Sequence, residues 1–322
     1  MAEMSRYVCV DWGTSQLRAA LCEFDGNESI AHETLRGPGI KAARHSVEKT
    51  LFTVIAPWIR EYGELPILLS GGVGSNIGWR ATKYLACPLA VAEITHHCTT
   101  FSTRGCDIVI VPGVECTNCY GVTDTMRGEE LQVLGWLKAE PSRLLGMHLV
   151  CLPGTHTKWV LVEDGRISKF QTAVTGEMYA LMLEHSILLA QNGASDPTIS
   201  EREDGFSLGI ETCREAKGVL SHVLFSARSR LLKQELSAHA AVSYLSGMLI
   251  AADVMGAVEL LRPLSDHVCL VGEPALCERF STVLQAFGLD SSIMDGNTAA
   301  MQGFSVVYRD MYQPDQNRSA SA

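Results

Sequence analysis

Positive charge is in short supply in this chain. Lys and Arg number 26 against 36 Asp and Glu, a formal net charge of −10 over 322 residues. A dedicated nucleic-acid binder carries a basic domain or stripe, and none is present; the acidic balance also disfavours docking on an anionic membrane. Charged residues of either sign make up only 19%, against 47% hydrophobic. A disordered chain shows the opposite balance, so a sizeable buried core is expected. Gly (28) and Pro (11) stand near ordinary usage, which removes collagen-like and low-complexity readings. No secretory leader is visible: the chain runs into Tyr7-Val8-Cys9-Val10-Asp11 without an apolar leader core or a small-residue cleavage site. The 11 cysteines are odd in number, scattered, and mostly set in apolar runs. They read as small buried hydrophobes in a reducing compartment, and the cytoplasm is the expected location. Cys116-Thr117-Asn118-Cys119 has no partner pair at zinc-site spacing, so no structural metal is expected from it.

One stretch, Ala240 to Leu261, is apolar enough to raise the question of a membrane span, but it carries Asp253 and Glu259. A central Asp costs about 2.5–3.5 kcal/mol on insertion scales, which favours a buried helix of a globular protein. The same stretch is of a size to cover an interface, and a homodimer is carried as an expectation.

The length suggests two domains at about 150 residues each. Apolar runs bounded by turn residues predict strands at Tyr7–Val10, Leu17–Phe24, Ser29–Leu35, Pro66–Leu69 and Ile108–Val111, and one helix over Val47–Tyr62. The pattern then restarts, with strands at Met147–Leu152, Lys158–Glu163, Ile167–Thr172 and Val268–Val271. Helices follow over Glu177–Gln191, Pro197–Lys217, His239–Leu261, Pro274–Phe287 and Thr298–Met311, and the tail past Pro314 is polar. The strand–turn–strand opening occurs twice. Asp11-Trp12-Gly13-Thr14 is echoed by Pro153-Gly154-Thr155-His156, an internal repeat of architecture and turn chemistry. A domain boundary is placed near residues 113–125, giving 1–115 and 116–322, with the last helix able to return to the first domain.

Each repeat opens on a turn suited to phosphate. Asp11-Trp12-Gly13-Thr14-Ser15 offers backbone N–H groups and hydroxyls, and its acid is suited to a hard cation. Gly154-Thr155-His156-Thr157-Lys158 offers the same without Walker A spacing. Two such turns can grip one polyphosphate, whereas either alone reads equally well as an ordinary hairpin. Gly272-Glu273-Pro274 ends a strand and starts a helix, leaving room for a flat ligand or simply placing Pro in a helix's first turn. Gly74-Ser75-Asn76 with Trp79, followed by Arg80 and Lys83, reads as sugar-site material whose bases suit a carboxylate. In Arg127-Gly128-Glu129-Glu130 the paired acids could supply a general base or cap a helix.

Together these blocks resemble the 2-dehydro-3-deoxygalactonokinase family of the actin/hexokinase/Hsp70 ATPase superfamily. The matching residues are Asp11–Ser15 with Leu17-Arg18, Val73–Asn76 with Gly78-Trp79, Pro112-Gly113, Met126–Glu130 with Gln132, Leu152–Val160, and Thr175-Gly176-Glu177. The chain departs from the family pattern at Gly71-Gly72-Val73 and at Gly272-Glu273-Pro274. The resemblance implies an α/β fold of two ribonuclease-H-like domains with a nucleotide cleft, and MgATP-dependent phosphorylation of a small sugar acid, 2-dehydro-3-deoxy-D-galactonate, at its 6-hydroxyl. On that reading Asp11 holds Mg²⁺. The ATP contacts come from Gly13, Thr14, Ser15, Gly154 to Lys158 and Gly272. Glu129 or Glu130 is the base, with Glu129 preferred. Arg18, Arg80 and Arg127 await the carboxylate, and Gly74, Ser75, Asn76 and Trp79 the sugar. A kinase for another sugar or sugar acid, such as the gluconate epimer, and a non-catalytic sugar-responsive regulator on the same fold, are the alternatives. The chain opens directly on its first strand, which is not expected to leave room for a DNA-binding segment ahead of it.

Overall fold

Enclosed aliphatic runs build the first sheet of a computed structural model that describes residues 5–26, 28–189, 199–261 and 266–313. β1 (Ser5–Trp12), β2 (Gln16–Phe24) and β3 (Ser29–Pro38) form an antiparallel meander. Three helices follow: α1 (Ile40–Ala43), α2 (Val47–Val54) and α3 (Ala56–Tyr62). The expected single helix over Val47–Tyr62 is therefore two. Apolar spacing continues through Ile55, but Pro57 in the first turn of α3 lacks the N–H that an unbroken helix would need. β4 (Ile67–Gly71) then runs parallel to β1.

Short strands come next: β5 (Tyr84–Ala86), β6 (Leu89–Ala90), β7 (Thr99–Thr103), β8 (Cys106–Ile110), β9 (Gly113–Thr117) and β10 (Thr123–Met126). The main sheet has the order β3-β2-β1-β4-β8-β7, and a small one has the order β10-β9-β5. α4 (Glu129–Ala139) closes this stretch.

The second series repeats the wiring. β11 (Met147–Leu152), β12 (Thr157–Glu163) and β13 (Arg166–Ala173) lead into α5 (Thr175–His185). The helices α6 (Ile199–Glu215), α7 (Leu220–Val223), α8 (Phe225–Leu232) and α9 (Ala238–Leu261) follow. β14 (His267–Gly272), α10 (Pro274–Ala286), β15 (Asp290–Asp295) and α11 (Gly296–Tyr312) complete the chain. The sheet order β13-β12-β11-β14-β15 matches β3-β2-β1-β4-β8 strand for strand. α5 stops at His185, short of the expected end; that end at Gln191, the expected helix start at Pro197 and the tail past Pro314 lie outside the described residues.

Two units emerge. Unit 1 comprises 1–146, 162–169 and 294–322; unit 2 comprises 147–161 and 170–293. The core of unit 1 gathers Val8, Val10, Leu17, Leu51, Trp58, Ile67 and Ile108. α11 belongs to it: Phe304 is 1% exposed, and the Tyr308 ring stacks on Tyr7 with centroids 4.1 Å apart. α4 and α11 approach closely because Gly135 and Gly303 put no side chain between their backbones. In unit 2 the long apolar helix α9 is a core element. Its Tyr244, Met248 and Val254 pack with Phe206 and Ile210 of α6, Leu149 of β11 and Phe280 of α10. The most apolar window of that helix is 72% buried inside the fold.

Phe304→Ala should lower the unfolding free energy by about 3–5 kcal/mol, as removal of a buried aromatic does, read from the denaturant midpoint. Phe225→Ala, at an exposed site on α8, should stay within about 0.5 kcal/mol of wild type. Equal effects at both positions would contradict the packing of α11.

Candidate active site

The first turn is braced from behind. Gly13 N–H donates to the Gln16 carbonyl at 2.9 Å, closing the β1–β2 hairpin. That amide was expected to meet phosphate, and it is instead engaged within the turn. The start of α1 then takes the turn's carbonyls: Gly39 N–H donates to Ser15 (3.2 Å), Ile40 to Gly13 (3.0 Å) and Lys41 to Thr14 (3.3 Å). A Cβ on Gly39 would overlap the Thr14–Ser15 peptide. What remains outward is Thr14 and Ser15, both exposed. Asp11, at the end of β1, stands opposite Arg18, whose Nη1 is 3.8 Å from its Oδ2. Burial raises the Asp11 pKa, and the Arg18 charge opposes that rise.

Gly71 is the meeting point of unit 1's site residues. It pairs with Trp12 at the end of β4, and a Cβ on it would lie 3.5 Å from Asp11 Oδ1. On its other side stands Gly128, whose φ of +111° is open to glycine and strained for other residues. The Gly71 Cα is 3.5 Å from the place a Gly128 Cβ would occupy. The loop beyond Gly71 folds on itself: Ser75 Oγ donates to the Gly72 carbonyl (2.7 Å) and Trp79 N–H to that of Val73 (2.8 Å). Arg127 lies against Gly74. Its guanidinium donates to the Thr82 hydroxyl and, at 3.2 Å, to the Thr82 carbonyl, and it sits 4.3 Å over the Tyr84 ring. Arg80 turns instead onto Phe101, 3.8 Å from the ring centroid, and Trp79 meets the same ring edge-on. Asn76 is exposed.

The neighbouring acids Glu129 and Glu130 have different surroundings. Glu129 is half-buried, and its carboxylate accepts Arg127 N–H at 2.9 Å. Glu130 is fully buried, and its two oxygens accept Gly128 N–H at 2.9 and 2.7 Å. Burial, then the Glu129 charge, pushes Glu130 up to about 8, against the lowering by backbone donors and Arg127. Glu130 is thus a sealed cap at the start of α4, and Glu129 is the acid with access.

Unit 2 carries the second turn. Thr155 and His156 are exposed and Gly154 half-exposed. Glu177 N–H, in the first turn of α5, donates to the Thr155 carbonyl (2.9 Å), and its side chain meets His156 Nε2 at 2.6 Å. Gly176 leaves no room for a side chain against the Gly154 carbonyl. Two expected phosphate contacts point inward. Thr157 is fully enclosed, and Lys158, 5% exposed, donates from Nζ to Thr172 Oγ1 at 2.8 Å. Both begin β12, so the alternation and packing of a core strand, rather than the turn, set their surroundings. Beneath the turn lies a cavity of about 300 Å³. Gly154, Thr157, Thr175 and Gly176 form its polar side; Leu249, Ile250, Leu276 and Phe280 form its apolar side; Tyr179, Ser246 and Arg279 complete it. Gly272 packs against Pro153 and opens α10, where the Glu273 carboxylate caps Leu276 N–H at 2.8 Å.

One buried polar residue carries no motif. Asp253, inside α9, accepts Trp159 Nε1–H at 2.7 Å and the Thr175 hydroxyl at 2.5 Å. Burial pushes its carboxyl up to about 6, against the lowering by Thr175, Trp159 and Thr157. The only sign of it in the sequence is an acid midway along an apolar run.

Two units of one strand order, each opening on a braced, hydroxyl-bearing turn, define the actin-like ATPase fold. The Clostridium difficile activator of 2-hydroxyisocaproyl-CoA dehydratase has that fold at 10% identity, with a TM-score of 0.51 over 95% of each chain. Within the class, the chain belongs to the 2-keto-3-deoxy-galactonokinase family, whose model matches residues 11–307. The 2-dehydro-3-deoxygalactonokinase of Escherichia coli (strain K12) is 32% identical over 302 residues, 93% of this chain and 96% of that one. A crystal structure from Sinorhizobium meliloti, assigned to the same kinase, superposes with a TM-score of 0.82 at 32% identity, covering 95% of this chain and 99% of its own.

Glu130 titrates near 8 in the fold against an ordinary 4.5. The folded chain holds a proton that the unfolded chain releases across that window. Its contribution to stability is full below about 4.5 and is lost as the pH rises through 8. Glu130→Gln, neutral throughout, should therefore gain melting temperature relative to wild type between about pH 5 and about pH 9. A difference that does not change with pH would exclude a buried, proton-holding Glu130.

Proposed function

We propose that the protein transfers the γ-phosphoryl group of ATP to the 6-hydroxyl of 2-dehydro-3-deoxy-D-galactonate. Beyond family membership, the observation that carries this reading is the convergence on the Gly71–Gly74 loop. Asp11 suits a cation, Glu129 suits a proton and Arg127 suits a carboxylate. Arg127 is the preferred anchor for the substrate carboxylate. Thr82 and Tyr84 hold its guanidinium, and its Nε is buried without a hydrogen-bond partner, a donor that an incoming anion would satisfy. Arg18 and Arg80 are secondary candidates. Gly74, Ser75, Asn76 and Trp79 would face the sugar-acid chain.

Glu129 receives the proton of the attacking hydroxyl. The Arg127 N–H holds its carboxylate in place, and Glu130 fixes the same turn from behind. In unit 1 the hydroxyls of Thr14 and Ser15 suit phosphate oxygens; in unit 2 the Thr155 hydroxyl and the His156 imidazole do, and the cavity beneath them takes the adenosine. Transfer of this kind is mostly positioning and electrostatics. Asp11, Thr14 and Ser15 form an all-oxygen donor set, which fits a hard cation, and the Asp11 side chain, 39% exposed, is open to one. They would hold Mg²⁺, which when bound neutralises charge on the phosphates.

The test is ADP release from MgATP with a panel of 2-dehydro-3-deoxygalactonate, its gluconate epimer, galactonate and common hexoses. Turnover on the first compound alone, abolished by chelating the metal, is the expected result. Turnover only on another compound would move the substrate. Absence of turnover on all would overturn the proposal. With the true substrate, Asp11→Asn and Glu129→Gln should each lower kcat by about 10²–10⁴-fold. Near-full turnover in Glu129→Gln would remove Glu129 from the role of base.

A further inference from the structure

We infer that Asp253 is a positioning residue for nucleotide binding: through the Thr175 hydroxyl and the Trp159 indole it fixes the polar wall of the unit 2 cavity beneath the second phosphate turn. The inference rests on the reading of that cavity as the nucleoside pocket.

Asp253 is 9% exposed in the middle of the most apolar helix of the chain. Burying a carboxylate there costs several kcal/mol, and its hydrogen-bond partners, Trp159 and Thr175, are neutral donors rather than a cation. An apolar residue of similar size would serve packing at least as well. Stability alone therefore gives no reason for an acid here.

Both partners of Asp253 lead to the cavity. Thr175 starts α5 and lines the cavity beside Gly154 and Gly176. Trp159 belongs to β12, two residues past Thr157, which lines the cavity as well. One carboxylate thus ties together α9, β12 and α5, the elements that shape the polar side. Thr157 adds a third link: its buried hydroxyl lines the cavity and lies close enough to Asp253 to lower the carboxyl's pKa. Finally, the repeat is chemically unequal. The first turn has its acid on the strand, at Asp11, whereas β11 runs out through Leu152-Pro153 with none. Asp253 brings a carboxylate to the second turn from the helix behind it.

The experiment is calorimetric titration of the purified full-length chain with ADP and with MgATP. It compares wild type, Thr175→Val, Thr175→Ser, Asp253→Asn and the Thr175→Val/Asp253→Asn pair, with folding checked by melting. Thr175→Val and Asp253→Asn should each raise the nucleotide Kd by about tenfold, the loss of one well-made hydrogen bond. The KM for the sugar acid should stay within about twofold. Thr175→Ser should recover most of the loss, and the double variant should bind no worse than the weaker single, because both act through one contact. If both folded single variants bind within about twofold of wild type, or if their effects simply add, Asp253 has no positioning role. Should Asp253→Asn not fold, the Val and Ser variants of Thr175 decide. If wild type itself binds no nucleotide, the pocket reading fails, and that outcome is distinct from normal wild-type binding with unchanged variants.

Discussion

What the site can offer a phosphate depends on how each turn disposes of its carbonyl oxygens. A helix start carries N–H groups with no partner inside the helix, and both turns use them. α1 takes the carbonyls of Gly13, Thr14 and Ser15, and Glu177 at the start of α5 takes that of Thr155. The contact is close enough to need a residue without a side chain on the helix side, Gly39 in one case and Gly176 in the other. With the carbonyls engaged behind, the outward face is left to hydroxyls and an imidazole. α1 has only four residues, too few to stand by propensity, so its place in the fold is that of a brace.

Adjacent identical residues acquire different chemistry from this scaffold. Glu129 and Glu130 differ by one step of a helix, about 100° of rotation. That step turns one carboxyl into the interior against Gly128 N–H and leaves the other accessible. Spacing alone left base and cap both open for this pair; the structure gives the two carboxyls different burial and different hydrogen bonds.

The repeat was legible because its central strands are enclosed apolar runs, and β11 ends where the run ends. β5, β9 and β10 were not legible, since they are only three to five residues long, with no alternation long enough to register. β15 is mostly exposed and carries few apolar residues. The turns could be read from their residue types and their recurrence. Lys158 shows the limit of that approach: a base next to a hydroxyl-rich turn resembles a phosphate ligand, but it is the second residue of a core strand. Asp253 was out of reach altogether, because its partners stand 78 and 94 residues away in the chain. No local pattern encodes such a contact.

The threading of the chain has a consequence for its birth. Unit 1 begins with β1 but is finished by α11, whose Tyr308 stacks on Tyr7 and whose Met301 meets Cys9. All of unit 2 is synthesised in between. On the ribosome the first half to emerge is therefore the last to be completed. The side of β1 that carries Tyr7 and Cys9 stays uncovered, open to chaperones and to chance aggregation, until α11 leaves the exit tunnel.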